Sequence, residues 1–131
     1  MVSFDWKGIK LGMLICYDMR YPELRRLMRM ENVQVMLHLV SAMGNAEWKV
    51  PVLEGTLRGH AASNGYYILS ANNAGPVQVV QSAIFNPKGL VLAKANYGMD
   101  EIIFSDLKIG KPNGDVNFRN DIYRLIKVEP N

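Results

Sequence analysis

Three short apolar runs, at 9–15, 33–40 and 66–71, are separated by two stretches of helical spacing. No other feature limits the fold of this chain as much. Segments that read strand, helix, strand, helix, strand favour a buried, largely parallel sheet with helices packed on it. Both helical stretches carry local punctuation. Pro22 stands where a first helical turn tolerates a missing N–H, and Glu23 suits the positive helix start. The spacing of Leu24, Leu27, Met28 and Met30 or Glu31 then predicts a helix to about Asn32. A longer helix is expected over 47–64, with Trp48, Val52, Leu53, Leu57, His60 and Ala61 on one face. Pro51 falls in its first turn, and Asn64-Gly65 is a helix stop.

Antiparallel strands frame this centre. Residues 1–6 alternate, and a tight turn at 5–8 leads into the strand at 9–15. The segments 78–85 and 90–95 flank Asn86-Pro87-Lys88-Gly89, a hairpin signal, and 101–107 reads as one more strand. Beyond Gly110 the chain is rich in Pro, Gly and Asn, and only 122–128 is periodic enough to form an element. With 131 residues, one domain over 1–131 with an extended tail at 110–131 is the expectation.

The chemistry sits where the first central strand stops. Gly12-Met13-Leu14-Ile15-Cys16-Tyr17-Asp18-Met19-Arg20-Tyr21-Pro22-Glu23 is an apolar run that ends in the only cysteine, followed by a polar turn and a helix start. That order presents a thiol at the end of a strand, where ligands of α/β folds bind. Taken alone, such a cysteine is a small buried hydrophobe. A single cysteine excludes an internal disulfide and a multi-cysteine metal site, and His38 and His60 do not stand at ligand spacing. Neither a metal nor a cofactor is therefore expected.

Fifteen Lys and Arg against twelve Asp and Glu leave a net charge of +3 that is scattered along the chain. The Arg25-Arg26 pair and Arg29 read as a solvated basic helix face, and no nucleic-acid partner is expected. The amino terminus lacks the pattern of a signal peptide, and no run approaches the ~18 apolar residues of a membrane span. A soluble protein in a reducing cytoplasm is the expectation, with no membrane partner.

Around Cys16, Asp18 reads as a turn acceptor and Glu23 as a helix-start charge. Arg20 has two readings, a clamp for a substrate carboxylate or a bridge to Glu23 or Asp18. His38, in an apolar strand, reads as a satisfied core histidine, and His60 as a packing residue. Asn72 and Asn73 shape a strand exit on an edge that would line a pocket, and Trp48 is first a core aromatic.

From Lys10 to Leu24 the chain resembles the nucleophile elbow of the carbon–nitrogen hydrolase (nitrilase and amidase) superfamily. Further motifs follow in that family's order. These are the strand ending in Ser41-Ala42, the long helix with Trp48, Leu57-Arg58 and Asn64, the strand 68–75, and the hairpin 82–93. The resemblance covers about residues 8–107. It implies an α/β fold that is part of an α-β-β-α sandwich, with a mixed sheet and two main helices. It further implies a Glu–Lys–Cys triad with Cys16 as nucleophile and the Tyr17 backbone N–H as an oxyanion donor. Arg20 and Asn72 would contact the substrate, a small amide or related molecule. A thiolate is needed because a thiol is a poor nucleophile, so a base or cation must stand beside it.

In that family the glutamate and the lysine precede the elbow. Only fifteen residues precede Cys16 here, and Asp5, Lys7 and Lys10 do not match those motifs. The chain thus resembles the C-terminal half of such a hydrolase, and by itself it is not expected to turn over amides at a useful rate. The alternative function is a non-catalytic binding or oligomerisation module. Where relatives carry Arg-Ala-x-Glu-Asn, this chain has His60-Ala61-Ala62-Ser63-Asn64. A half-sandwich exposes one sheet face, so a homo-oligomer is expected.

Overall fold

The computed structural model describes residues 2–110. Six strands form one mixed sheet in sequence order, β1 (Val2–Trp6), β2 (Ile9–Ile15), β3 (Val35–Val40), β4 (Tyr67–Asn72), β5 (Ala83–Phe85) and β6 (Val91–Lys94). The three central strands are parallel, β2 to β3 and β3 to β4, and the flanking pairs are antiparallel. Two helices supply the crossovers, α1 (Pro22–Met30) and α2 (Lys49–Asn64). The fold class, mixed α/β with two main helices, is the one the alternation predicts.

Local signals explain most boundaries. The β1–β2 hairpin turns on Lys7 and Gly8, both at positive φ (49° and 79°), which matches the twist of antiparallel strands. Pro22 opens α1, and α2 ends on Gly65 in the left-handed conformation at φ 67°. The Asn86–Gly89 turn closes with a Gly89 N–H bond to the Asn86 carbonyl (2.9 Å).

Register divides the sheet into two faces. Leu14, His38 and Ser70 stand in one row, and Gly12, Met36 and Ile68 in another; these residues lie beneath the helices and are buried or nearly so. Leu57 and Ala61 of α2, Met28 of α1, Tyr66 and Phe85 complete this core, each fully buried. A Cβ on Gly12 would lie 2.8 Å from the Met28 sulfur and 3.1 Å from both Val33 methyls, so α1 crosses β2 at a distance only glycine permits. The opposite face carries Val2, Ile15, Leu39 and their neighbours in register. Among the described residues no layer covers it, and Ile15 is 59% and Leu39 44% exposed.

Four expectations need correction. Residues 101–107 form no strand; the segment is extended, and Ile102 and Phe104 are 91% and 88% exposed. It pairs with neither edge and is tied instead to β4, where the Tyr67 hydroxyl bonds the Lys108 carbonyl (3.0 Å) and N–H (3.2 Å). Residues 78–82 are not strand, because the chain there crosses the strand ends and buries Val79 and Val80, with Val79 N–H on the Ala42 carbonyl (3.0 Å). α1 is rotated relative to its apolar stripe. Arg25 and Arg29 are buried (0% and 1% exposed), whereas Leu27 and Met30 are 44% and 45% exposed, so Arg25 and Arg29 do not belong to a solvated basic face. Their alkyl stems serve as core surface. Finally, α2 buries Leu53, Leu57, Ala61 and Asn64, and Trp48, which precedes it, is 60% exposed rather than core. The tail beyond Gly110 and the element expected at 122–128 lie outside the described residues. No helix among those described is long and apolar enough to cross a membrane.

Candidate active site

Cys16 begins a short 3-10 helix, Cys16–Arg20, that turns the chain from β2 into α1. Its φ is +46°, a left-handed value that a side-chain-bearing residue adopts at a cost of about 1–2 kcal/mol. Such a conformation persists only where its surroundings over-determine it. Here the surroundings include three hydrogen bonds to the elbow's main chain. The Asp18 carboxylate accepts from Ile15 N–H (3.0 Å), His38 Nε2 donates to the Cys16 carbonyl (3.1 Å), and Arg25 Nε donates to the Met19 carbonyl (3.2 Å). Cys16 as a whole residue is half-buried. It is therefore not sealed in the core, and it stands at the carboxyl end of a central strand.

Asp18 is thus a turn acceptor, as its position in the sequence suggests. His38 is a satisfied core histidine, with Nδ1 3.0 Å from Ser70 Oγ and no exposed surface. Burial lowers its pKa, as does Arg25; the bond to the Cys16 carbonyl opposes them. His60 is pushed down to about 4, first by burial and then by Arg25, against a bond to the Met19 backbone. Both imidazoles are neutral near pH 7. Arg25 carries two buried guanidinium nitrogens, Nη1 and Nη2, with no hydrogen-bond partner among the described residues. Its desolvation lowers its pKa, and the Tyr66 side chain opposes that shift.

Arg20 does not bridge to Asp18 or Glu23. Its guanidinium lies over the Tyr17 ring, 5.0 Å from the centroid, and Tyr17 in turn meets Tyr21 edge-on at 6.0 Å. Tyr17 is 60% exposed, so this aromatic–cation group lies on the surface of the elbow. Asn72 has every hydrogen-bonding position of its amide occupied by main chain. Nδ2 donates to the Ala42 (3.1 Å) and Val80 (2.6 Å) carbonyls, and Oδ1 accepts from Ala42 N–H (2.8 Å) and Asn73 N–H (3.0 Å). It stitches together the ends of β3 and β4 and the loop before β5.

Lys10 lies at the far end of β2, paired with Asp5 at 3.2 Å. Its strand separates it from Cys16 by about 20 Å, at ~3.3 Å per residue. Lys7 is farther still, in the hairpin turn. A hollow of about 800 Å³ sits at that distant end, against Asp5, Lys10 and Gln34. A smaller one of about 250 Å³ lies among the loops after β3 and β4, against Gly44, Val50, Val77 and Tyr97, at the same end of the sheet as Cys16.

Three features escaped the sequence reading: the left-handed φ at Cys16, the bond from His38 to its carbonyl, and the burial of Arg25. The first had a signal, since a strand that turns within one residue into a helix requires an unusual dihedral.

The sequence profile described as carbon-nitrogen hydrolase matches residues 1–111. The chain is 32% identical over 108 residues to the deaminated glutathione amidase of Dictyostelium discoideum, covering 76% of this chain and 35% of that protein. It is 31% identical over 118 residues to human omega-amidase NIT2, covering 83% and 40%. Among solved structures it superposes on Saccharomyces cerevisiae Nit3, of the nitrilase superfamily, with a TM-score of 0.65 at 26% identity, covering 76% and 38%. A mutant of the amidase from Nesterenkonia sp. AN1, with the acetamide moiety of fluoroacetamide added covalently at its active-site cysteine, gives 0.64 at 27%, covering 72% and 36%. The chain spans well under half the length of each of these proteins.

Proposed function

Because the chain belongs to the carbon–nitrogen hydrolase family, we propose that Cys16 is its nucleophile and that the complete protein hydrolyses a small non-peptide amide through a thioester. The observation that carries this reading is the elbow, a half-buried cysteine held at positive φ at the carboxyl end of a central strand. The thiolate adds to the carbonyl carbon, forming a C–S bond and leaving negative charge on oxygen. The Tyr17 N–H, in a helix's first turn with no intrahelical acceptor, receives that oxygen. Collapse breaks the C–N bond, and the nitrogen leaves with a proton as ammonia or an amine. Water then adds to the thioester, the C–S bond breaks, and a carboxylic acid and the thiol are released.

Moving those protons and stabilising the adduct fall to a glutamate and a lysine. The family carries both ahead of the elbow, in a part of the relatives' length that residues 1–131 do not span. Arg20, exposed beside Cys16, is suited to a substrate carboxylate. The names of the relatives, omega-amidase and deaminated glutathione amidase, support an amide of that kind. Asn72, saturated by main chain, acts by shaping the pocket edge rather than by touching substrate. The bare apolar face of the sheet is suited to a second sheet layer. In a preparation of residues 1–131 alone, another copy of the chain takes that role, giving a homo-oligomer. A single cysteine without a disulfide fits a cytoplasmic setting.

Fluoroacetamide tests the reading, since the sole cysteine makes any adduct unambiguous. One acetamide adduct, formed on the folded chain faster than on the urea-unfolded chain, supports an activated Cys16. Equal rates in the two states, measured with the preceding family segment supplied in trans, refute it. Among the described residues no carboxylate–lysine pair matching the family's stands beside Cys16, since the Lys10–Asp5 pair lies at the other end of β2. That favours a second reading for residues 1–131 alone, a module without turnover. Adding the preceding family segment in trans and recovering amide hydrolysis distinguishes the two.

A further inference from the structure

We propose that His38 is a positioning residue for the oxyanion donor, acting through the Cys16 carbonyl; this rests on the reading of Cys16 as nucleophile. A carbonyl oxygen only accepts hydrogen bonds, so the ring nitrogen 3.1 Å from it, Nε2, carries the hydrogen. Nδ1 is then the acceptor, and the Ser70 hydroxyl 3.0 Å away donates to it. Ser70 and His38 are paired in register on adjacent strands and are both buried (4% and 0% exposed). A rigid sheet therefore fixes the ring, and the ring fixes the Cys16 carbonyl.

The consequence lies in the geometry of one peptide unit. The Cys16 C=O and the Tyr17 N–H belong to the same planar trans amide, in which they point in opposite directions. Drawing the carbonyl inward to His38 turns the Tyr17 N–H outward, toward the exposed side of the elbow. Without His38 the carbonyl loses its buried partner. The peptide can then rotate about ψ of Cys16 and φ of Tyr17, carrying the N–H away from the substrate side. Of the bonds described on the elbow, this one acts on the peptide that carries the donor. The others act on Ile15 N–H and on the Met19 backbone.

Two reactions of Cys16 separate orientation of the donor from folding. p-Nitrophenyl acetate acylates the thiolate through a tetrahedral oxyanion; a C–S bond forms, the C–O bond breaks, and p-nitrophenolate leaves with the electron pair. Iodoacetamide alkylates the same sulfur by displacing iodide, with no oxyanion. His38→Leu is expected to slow acylation by about 10- to 100-fold, near the range for losing an oxyanion donor, and to leave alkylation within about threefold. His38→Gln, which keeps an N–H donor, is expected to recover most of the acylation rate. Ser70→Ala, a milder change should the leucine variant not fold, is expected to slow acylation in the same direction by a smaller factor. Acylation unchanged in these variants, or acylation and alkylation falling together without rescue by glutamine, overturns the proposal. So does a nitrogen NMR spectrum that places the His38 hydrogen on Nδ1. Acylation of the unsubstituted protein no faster than that of its unfolded chain overturns the nucleophile reading itself.

Discussion

Replacing Cys16 by glycine and by alanine separates the strain stored in the elbow from the loss of the thiol. Both variants remove the sulfur, so contacts of the sulfur cancel in the comparison. What differs is the backbone. At φ +46° alanine pays about 1–2 kcal/mol to occupy the left-handed well, and glycine incurs almost none of that cost. Glycine in turn loses about 0.5–1 kcal/mol more conformational entropy on folding than alanine. The difference leaves Cys16→Gly more stable than Cys16→Ala by about 0.5–1 kcal/mol. At an ordinary strand or helix position glycine would be the worse residue by a similar amount, so the sign is diagnostic. Equilibrium urea unfolding followed by far-UV circular dichroism reads it. With a slope of about 2 kcal/mol per molar urea, the glycine midpoint should lie ~0.3–0.5 M above that of alanine. A glycine midpoint below that of alanine would refute a strained elbow. Neither variant should be acylated, which keeps stability and reactivity separate.

Other consequences can be checked independently. Gly89 sits at φ +76°, and a Cβ there would lie 2.7 Å from the Arg58 carbonyl oxygen. Gly89→Ala should therefore cost about 2–4 kcal/mol by thermal unfolding, the sum of a left-handed penalty and overpacking; a loss under ~1 kcal/mol would show that α2 is not seated on this turn. His60 has a folded pKa of about 4, below the ordinary imidazole value of 6.5. Its neutral form is thus favoured by folding, and the stability it contributes is complete above 6.5 and is lost as pH falls toward 4. Urea midpoints measured from about pH 7.5 down to about pH 4.5 should fall, and less steeply in His60→Asn; identical profiles would exclude this origin. Sedimentation velocity on residues 1–131 should show association that strengthens with concentration, and Leu39→Lys on the bare face should abolish it. A compact monomer throughout would count against the homo-oligomer.

Local features were legible from the order of residues. The alternation of apolar runs and helical spacing specifies the parallel centre. Pro22 at a helix start and Gly65 and Gly89 at positive φ mark boundaries within a residue or two. Each of these rests on the dihedral freedom of one or two residues, which a neighbour in sequence suffices to reveal. The cysteine at the strand end was legible for the same reason. Its holding by distant partners was not, because those partners come from far along the chain. His38 reaches the Cys16 carbonyl across 22 residues and Ser70 across 32. Asn72 spends its amide on Ala42, 30 residues away, rather than on a ligand. Packing also settled which side of α1 faces inward. Leu27 and Met30 are more apolar than Arg25 and Arg29, yet the elbow carbonyl at Met19 offers Arg25 a buried acceptor. Residues 101–107 have the alternation of a strand without a neighbouring strand to complete the ladder. Periodicity describes what a segment can bury, and the assembled sheet determines whether a surface is there to bury it against.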